Sequence, residues 1–221
     1  MDFLEAIKNR HSVRSYSDRK IEGDVKDKLL QRIKDINRES GLNMQLVLDE
    51  PKAFDGLIMH YGKFSGVRNY IALVGPKTSD LDEKCGYYGE KLVLYVQQIG
   101  LNTCWVGVGY HKTPNAFTIG ADEKLRLMIA IGYGNTQGKA HKSKTFEQVT
   151  RVNGVVPEWF RRGVEAALLA PTAMNQQQFR FSLDENKVSV KPGIGFFTKV
   201  DLGIVKYHFE VGAGKENFQW A

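Results

Sequence analysis

Cysteine is scarce in this 221-residue chain, which holds only Cys85 and Cys104. Two well-separated thiols cannot build a disulfide framework or a zinc site, and they read as small buried side chains. Long apolar runs are also missing: none approaches the roughly 20 residues that span a bilayer. The opening Met1-Asp2-Phe3-Leu4-Glu5 is acidic and amphipathic, without the apolar core of a secretion signal, so a cytoplasmic protein is expected. His11, His60, His111, His141 and His208 are scattered, with no carboxylate or cysteine at ligand spacing, and no metal site is expected. There is no G-x-G-x-x-G after a strand, no P-loop, no H-E-x-x-H and no G-x-S-x-G. Gly132, Gly134 and Gly138 lack the dinucleotide spacing, which argues against a Rossmann-type nucleotide site.

The chain has no acidic surplus. Its net charge is +6 and its pI about 9.2, a balance that favours anionic partners. The basic residues are dispersed, however. Lys26, Lys28, Arg32, Lys34 and Arg38 alternate with Asp24, Asp27, Asp35 and Glu39, the pattern of a solvated helix face rather than a nucleic-acid stripe. No nucleic acid and no membrane is expected among the partners.

What is present is ample apolar material, 42% of the chain, in periodic segments. Spacing predicts a short helix around 3–9 and an extended stretch over 10–16. A helix is expected over 24–38, with Asp24 as N-cap and Val25, Leu29, Leu30, Ile33 and Ile36 as its stripe. Strands are expected at 45–48, 70–74, 103–108 and 127–131. A long helix of little charge is expected over 81–99, closed by Gly100. A polar, basic connector follows Gly132. After it come a helix opened by Pro157, a hairpin turning at Asp184-Glu185-Asn186, and a helix from Phe197 to about Val211. One pattern occurs twice. A helix leads to a small-residue turn, an Asn and a strand, first at Ser40-Gly41-Leu42-Asn43 and again at Pro171-Thr172-Ala173-Met174-Asn175. A later glycine-started helix also recurs, at Gly86 and at Gly203.

Four segments could carry chemistry. In an extended chain Arg10, Ser12 and Arg14 share one face, two forked donors and a hydroxyl suited to phosphate oxygens. The two arginines lie about 13 Å apart in a straight strand, so they would hold opposite ends of an elongated ligand rather than one phosphate. On composition alone, a solvated basic edge is the plainer reading. Lys142 and Lys144 could reach the same anion or simply face solvent. The turn at 171–175 offers a rigid proline, a hydroxyl, a small side chain and an amide to a planar heterocycle, but a proline is also where a helix stops. Trp105-Val106-Gly107-Val108-Gly109 reads either as core or as a flat wall against a ring.

Phe3-x3-Ile7-x2-Arg10-His11-Ser12-Val13-Arg14-x-Tyr16 resembles the opening of nitroreductase-family flavoproteins, R-x-S-x-R-x-[FY]. Ala170-Pro171-Thr172-Ala173-Met174-Asn175-x-Gln177 resembles that family's A-P-[ST]-x-x-N-x-Q turn. The stretches from Gly86 to Trp105 and from Ala130 to Gly134 resemble its central helix, following strand and late glycine turn. In ordinary members the proline turn follows soon after the arginine segment, and the partner subunit supplies it to the flavin. Here the early position reads Glu39-Ser40-Gly41-Leu42-Asn43, and the good version comes at Pro171. The chain therefore resembles a duplicated branch, with a first half over 1–150 and a truncated second half over 151–221.

The resemblance implies an α+β fold, a central, mostly antiparallel sheet wrapped by helices, with the halves packed as an intramolecular pseudo-dimer. It implies one FMN site per chain, so that a monomer would suffice. Arg10, His11 and Ser12, assisted by Lys142 and Lys144, would hold the phosphate. Arg14 and Lys63 would sit at the pyrimidine edge. Val106 and Gly107 would back the ring, and Pro171, Thr172, Ala173 and Asn175 would line it. The implied activity is electron transfer from NAD(P)H as co-substrate to a small-molecule oxidant of nitro, quinone or flavin type, with no catalytic side-chain nucleophile. The alternatives are an oxygen-dependent flavin-fragmenting enzyme and a non-enzymatic flavin-binding or redox-sensing protein.

Overall fold

A computed structural model describes residues 1–56, 59, 62–113 and 115–221. His60 lies outside the described residues. The fold is α+β, and the chain divides into two compact units. One comprises residues 9–81 and 92–140. The other comprises 1–8, 82–91 and 141–221.

The first unit is built on a four-stranded antiparallel sheet, ordered β1-β2-β4-β3. Its strands are β1 (Asn43–Val47), β2 (Tyr70–Pro76), β3 (Asn102–Val106) and β4 (Glu123–Gly132). Inner strand β2 is buried from Tyr70 to Gly75, which explains its unbroken run of apolar residues. Helix α2 (Gly23–Ser40) buries Leu29, Ile33 and Ile36 at the expected spacing. Two expectations at this helix fail. It begins at Gly23 behind Glu22 rather than being capped by Asp24, and Leu30 stays 44% exposed. Gly41 ends it at φ 72, and its N–H donates to the Asn37 carbonyl. The Asn37 side-chain amide then holds both the N–H and the carbonyl of Met44 at 2.9 Å, which sets the start of β1. Strand β3 stops at Val106, short of the expected 108, and Val108 is 65% exposed.

Helix α3 (Leu81–Gln98) crosses the division between the units at residues 91 and 92. Its early part belongs to the second unit, with helices α1 (Phe3–Asn9, as far as residue 8), α4 (Phe146–Val149), α5 (Glu158–Ala167) and α6 (Thr198–Ala213). That unit also holds a sheet ordered β5-β6-β7-β8. The expected hairpin is its centre: β6 (Phe179–Asp184) against β7 (Lys187–Pro192). The short strands β5 (Thr150–Arg151) and β8 (Gln219–Trp220) flank it in parallel. Its core is aromatic: Phe160, Phe181 and Phe209 are fully buried, and the last two stack at 4.8 Å.

Gly86 and Gly203 do not start helices; they lie inside α3 and α6, face to face. A Cβ on Gly86 would lie 2.0 Å from the Val200 carbonyl oxygen, and one on Gly203 would lie 2.0 Å from the Glu83 carbonyl oxygen. Each glycine thus faces the carbonyl three residues before the other. One turn along, the fully buried His208 and Glu90 pair at 2.8 Å, and the other ring nitrogen of His208 lies 3.0 Å from the Ala166 carbonyl.

Candidate functional site

The arginine segment is an added strip on the first unit's sheet. Ser12 pairs with Thr103 of β3, and the Val13 N–H donates to the Thr103 carbonyl at 3.0 Å. Tyr16 pairs with Gly134, and its hydroxyl donates to the Val13 carbonyl at 2.6 Å. Val13 and Tyr16 are the buried anchors, which leaves Ser12 half-buried and Arg14 exposed. Arg10 is 3% exposed, a buried cation rather than part of a solvated edge. Burial pushes the Cys104 thiol up, and it is opposed by the Arg14 charge, a hydrogen bond with Ser12 and the Arg10 charge. Burial likewise raises the Tyr16 phenol well above its ordinary range.

Two loops pack against this strip. Gly138, at φ 74, lies so close that a Cβ there would come 2.7 Å from the Cβ of His11 and 3.1 Å from the Ser12 carbonyl oxygen. Opposite, the Ser65 N–H donates to the Arg14 carbonyl at 2.9 Å, and the Arg14 guanidinium sits 5.8 Å from the centre of the Phe64 ring. Lys63, exposed and at φ 61, is next in the chain to that ring. Val106, buried, and Gly107, half-buried, close the β3 end. The structure therefore gathers Arg10, His11, Ser12, Arg14 and Lys63 on the strip and its adjoining loops, with Val106 and Gly107 at the end of the strand that carries it.

The remaining candidates form a second assembly, within the other unit. The turn after α5 holds Pro171, Thr172 and Ala173 half-buried, with Met174 and Asn175 exposed. Met174, Asn175 and Gln177 have φ of 52°, 53° and 46°, the left-handed region that side chains disfavour. Hydrogen bonds hold them there. The buried Gln177 side chain donates to the Lys142 carbonyl and to Asn175 Oδ1, both at 2.9 Å, and accepts from the Lys144 N–H at 2.9 Å. Asn175 Nδ2 donates to the Lys142 carbonyl at 2.8 Å, so both ends of its amide are engaged. Lys144 Nζ donates to the Gln177 carbonyl at 2.9 Å. Connector and turn are thus one hydrogen-bonded body: Lys142 contributes its carbonyl and keeps its side chain exposed, and Lys144 is half-buried.

Asp201, in the first turn of α6, was not expected in the site. Its Oδ1 accepts the Ala173 N–H at 3.0 Å, and its Oδ2 accepts Gln176 Nε2 at 3.1 Å. It is 3% exposed, and burial raises its carboxyl to about 6 against the pull of those two donors. Its only trace in the sequence is a lone acid in the apolar run Val200-Asp201-Leu202-Gly203-Ile204-Val205.

The donor chemistry suits a phosphorylated planar heterocycle. Arg10, Ser12, Arg14 and Lys63 offer charged and hydroxyl donors, and Val106 and Gly107 at the β3 end offer an apolar and a small surface. Among the described residues, no group of three or more His, Cys, Asp or Glu is placed to hold a metal ion. No helix there is long and apolar enough to cross a membrane.

Comparison with known proteins gives a consistent result. A family model described as "Putative TM nitroreductase" matches residues 2–213. No curated protein matches the chain in sequence. A Thermotoga maritima protein described as a "putative nitroreductase" superposes with a TM-score of 0.70 at 25% identity, over 98% of this chain and 85% of that one. A Parabacteroides distasonis protein, "Putative NADH dehydrogenase/NAD(P)H nitroreductase", gives 0.53 at 22% identity, over 69% of this chain and 98% of its own. A Desulfovibrio desulfuricans protein solved in complex with FMN gives 0.50 at 16% identity, over 67% and 95%.

Proposed function

This chain belongs to the nitroreductase family, and on that premise we propose that it is an FMN-dependent oxidoreductase passing electrons from NAD(P)H to a small oxidised acceptor of nitro, quinone or flavin type. The observation that carries the reading is the strip at 10–14. Ser12 is fixed by backbone pairing to Thr103 of β3, and it is flanked on the same strip by the buried Arg10 and the exposed Arg14, two cations and a hydroxyl spaced for the two ends of one elongated ligand.

Bound FMN would supply the chemistry, accepting a hydride and releasing electrons to the second substrate. The chain's own residues bind and orient. Arg10, His11 and Ser12 would hold the phosphate, with Lys142 and Lys144 assisting; the forked guanidinium matches its oxygens. Arg14, and Lys63 behind it, would face the pyrimidine edge, where a fixed cation stabilises negative charge that develops on reduction. Val106 and Gly107 would back the ring. Pro171, Thr172, Ala173 and Asn175 would line it and exclude water.

We further propose that the chain is a duplicated form, with halves at 1–150 and 151–221, that completes one FMN site by itself. The reciprocal seating of Gly86 and Gly203 supports this, because each glycine meets the same position of the other helix, as in an isologous contact between identical subunits. The test is the visible spectrum of the purified protein after addition of FMN, then NADH or NADPH without oxygen. Bound flavin that bleaches, and recovers on adding a quinone or nitroaromatic, is the expected result. A protein that retains no flavin would overturn the proposal.

A further inference from the structure

We propose that Asp201 is the positioning residue of the flavin site, holding the strained turn at 171–177 in the shape that covers the ring. This rests on the functional reading above. The turn is unusual in placing three residues that are not glycine, Met174, Asn175 and Gln177, in left-handed backbone within four positions. Such a turn keeps its shape only if its surroundings impose it. Gln177 fixes one side through Lys142 and Lys144. Asp201 fixes the other, and it does so with the only carboxylate that bonds the turn among the described residues. One oxygen takes the Ala173 N–H, and the other takes the Gln176 amide.

The second bond extends the hold. Gln176 Nε2 also donates to the Phe196 carbonyl at 2.5 Å, so one carboxylate braces the turn and the 193–197 loop together. Gly195 makes this possible: a Cβ there would lie 2.2 Å from Gln176 Oε1. A purely structural role accounts poorly for an ionisable group here. Asp201 is 97% hidden from solvent (3% exposed) on a helix whose neighbouring positions are apolar, and an apolar side chain would pack there without the cost of burying a charge. A carboxylate is the one side chain of this length that accepts from both donors at once. Burial raises its carboxyl to about 6, so it stays mainly ionised, and accepting, at neutral pH.

The test uses the full-length protein, its Asp201→Asn variant, and the double variant Asp201→Asn/Gln176→Glu. Asparagine still accepts from Ala173 but turns an N–H₂ toward Gln176; the second change restores an acceptor opposite it. Asp201→Asn should weaken binding of FMN and of riboflavin by the same factor, about tenfold for the loss of one charged hydrogen bond. It should change the visible circular dichroism of bound flavin. The double variant regains the bond between positions 201 and 176 but gives up the donation to the Phe196 carbonyl, so it should recover part of the affinity. Equal losses for the two flavins set this effect apart from damage to the phosphate strip, which riboflavin does not sense. An Asp201→Asn protein with parental affinity and dichroism overturns the inference and leaves the functional reading standing. So does affinity lost only in proportion to folded protein, without rescue. A parent protein that binds neither flavin overturns both.

Discussion

Arg10 and Asp201 are charged side chains that the fold nearly hides from water, each 3% exposed. Burying charge is costly unless it is matched, so each marks a place where the fold gives up stability for something else. For Arg10 the proposed role is phosphate binding. Ser12→Ala or Arg10→Ala should lower FMN affinity by roughly 1.5–3 kcal/mol, the worth of a charged hydrogen bond, and leave riboflavin affinity nearly unchanged. Calorimetric titration with both flavins measures this, and equal losses would move these residues off the phosphate. For Asp201 the consequence is a pH dependence of stability. Its folded carboxyl titrates near 6, above the roughly 3.9 of an unfolded aspartate. Between those values the folded chain holds a proton that the unfolded chain releases. Stability from this residue therefore falls as pH rises from about 4 to about 6, by about 3 kcal/mol in all, and is level above that. Urea unfolding at pH 4 to 7 should show Asp201→Asn gaining on the parent across that window and not beyond it. Acid should thus steady the fold while protonating the acceptor that braces the turn, so flavin affinity should fall where stability rises.

At the scale of elements, the α3–α6 crossing depends on two hydrogen atoms. Gly86→Ala or Gly203→Ala would drive a methyl group to 2.0 Å from a carbonyl oxygen of the facing backbone, which no rotamer change relieves. Each should destabilise the protein by about 1–3 kcal/mol or more. Because one widening of the crossing relieves both clashes, the double variant should cost less than the sum of the two. Denaturant unfolding of the four proteins provides the cycle, and strict additivity would show that the two contacts are independent.

The same elements show what a reader of the sequence can and cannot see. Helices α2, α3, α5 and α6 and the β6–β7 hairpin announce themselves because period and punctuation are local: Ile33 and Ile36 repeat along one face, and Gly41 and Gly100 close the helices. Strands β5 and β8 are two residues each, too short to carry a period, and exist only through partners distant in the chain. Val108 looks like strand because it is apolar, but the ladder to β4 ends at Val106. The candidate site divides similarly. The segment at 10–14 is legible because alternation and charge coincide there. Asp201 is not, because its role depends on a backbone N–H 28 residues away, and the pairing of Gly86 with Gly203 is settled only when two helices meet.

At the scale of the whole molecule, the proposed duplication fixes a stoichiometry. Titration should end at one FMN per chain. Flavin should stay bound when the protein is diluted, whatever its state of association, because no second copy is needed to complete the site. Sedimentation followed at flavin and protein wavelengths reads both quantities. Two flavins per chain, or flavin released in step with dissociation of a dimer, would rule out a site completed within one chain.

The discontinuity of the second unit also bears on synthesis. By residue 140 the ribosome has made every strand of the β1-β2-β4-β3 sheet, so that unit is complete in covalent terms before β5 begins. Residues 1–8 and 82–91 have also emerged by then, but their unit lacks its hairpin, α5 and α6. At about 5–20 residues per second, residues 141–221 of that unit take about 4–16 s to make. Throughout that interval Ile7, Gly86 and Glu90, all fully or nearly fully buried in the finished protein, await a partner not yet translated. The nascent chain thus passes through a stage in which every residue of one unit has been made while two short pieces of the other still lack their partners, and that interval is when a chaperone, or a neighbouring nascent chain, would find them.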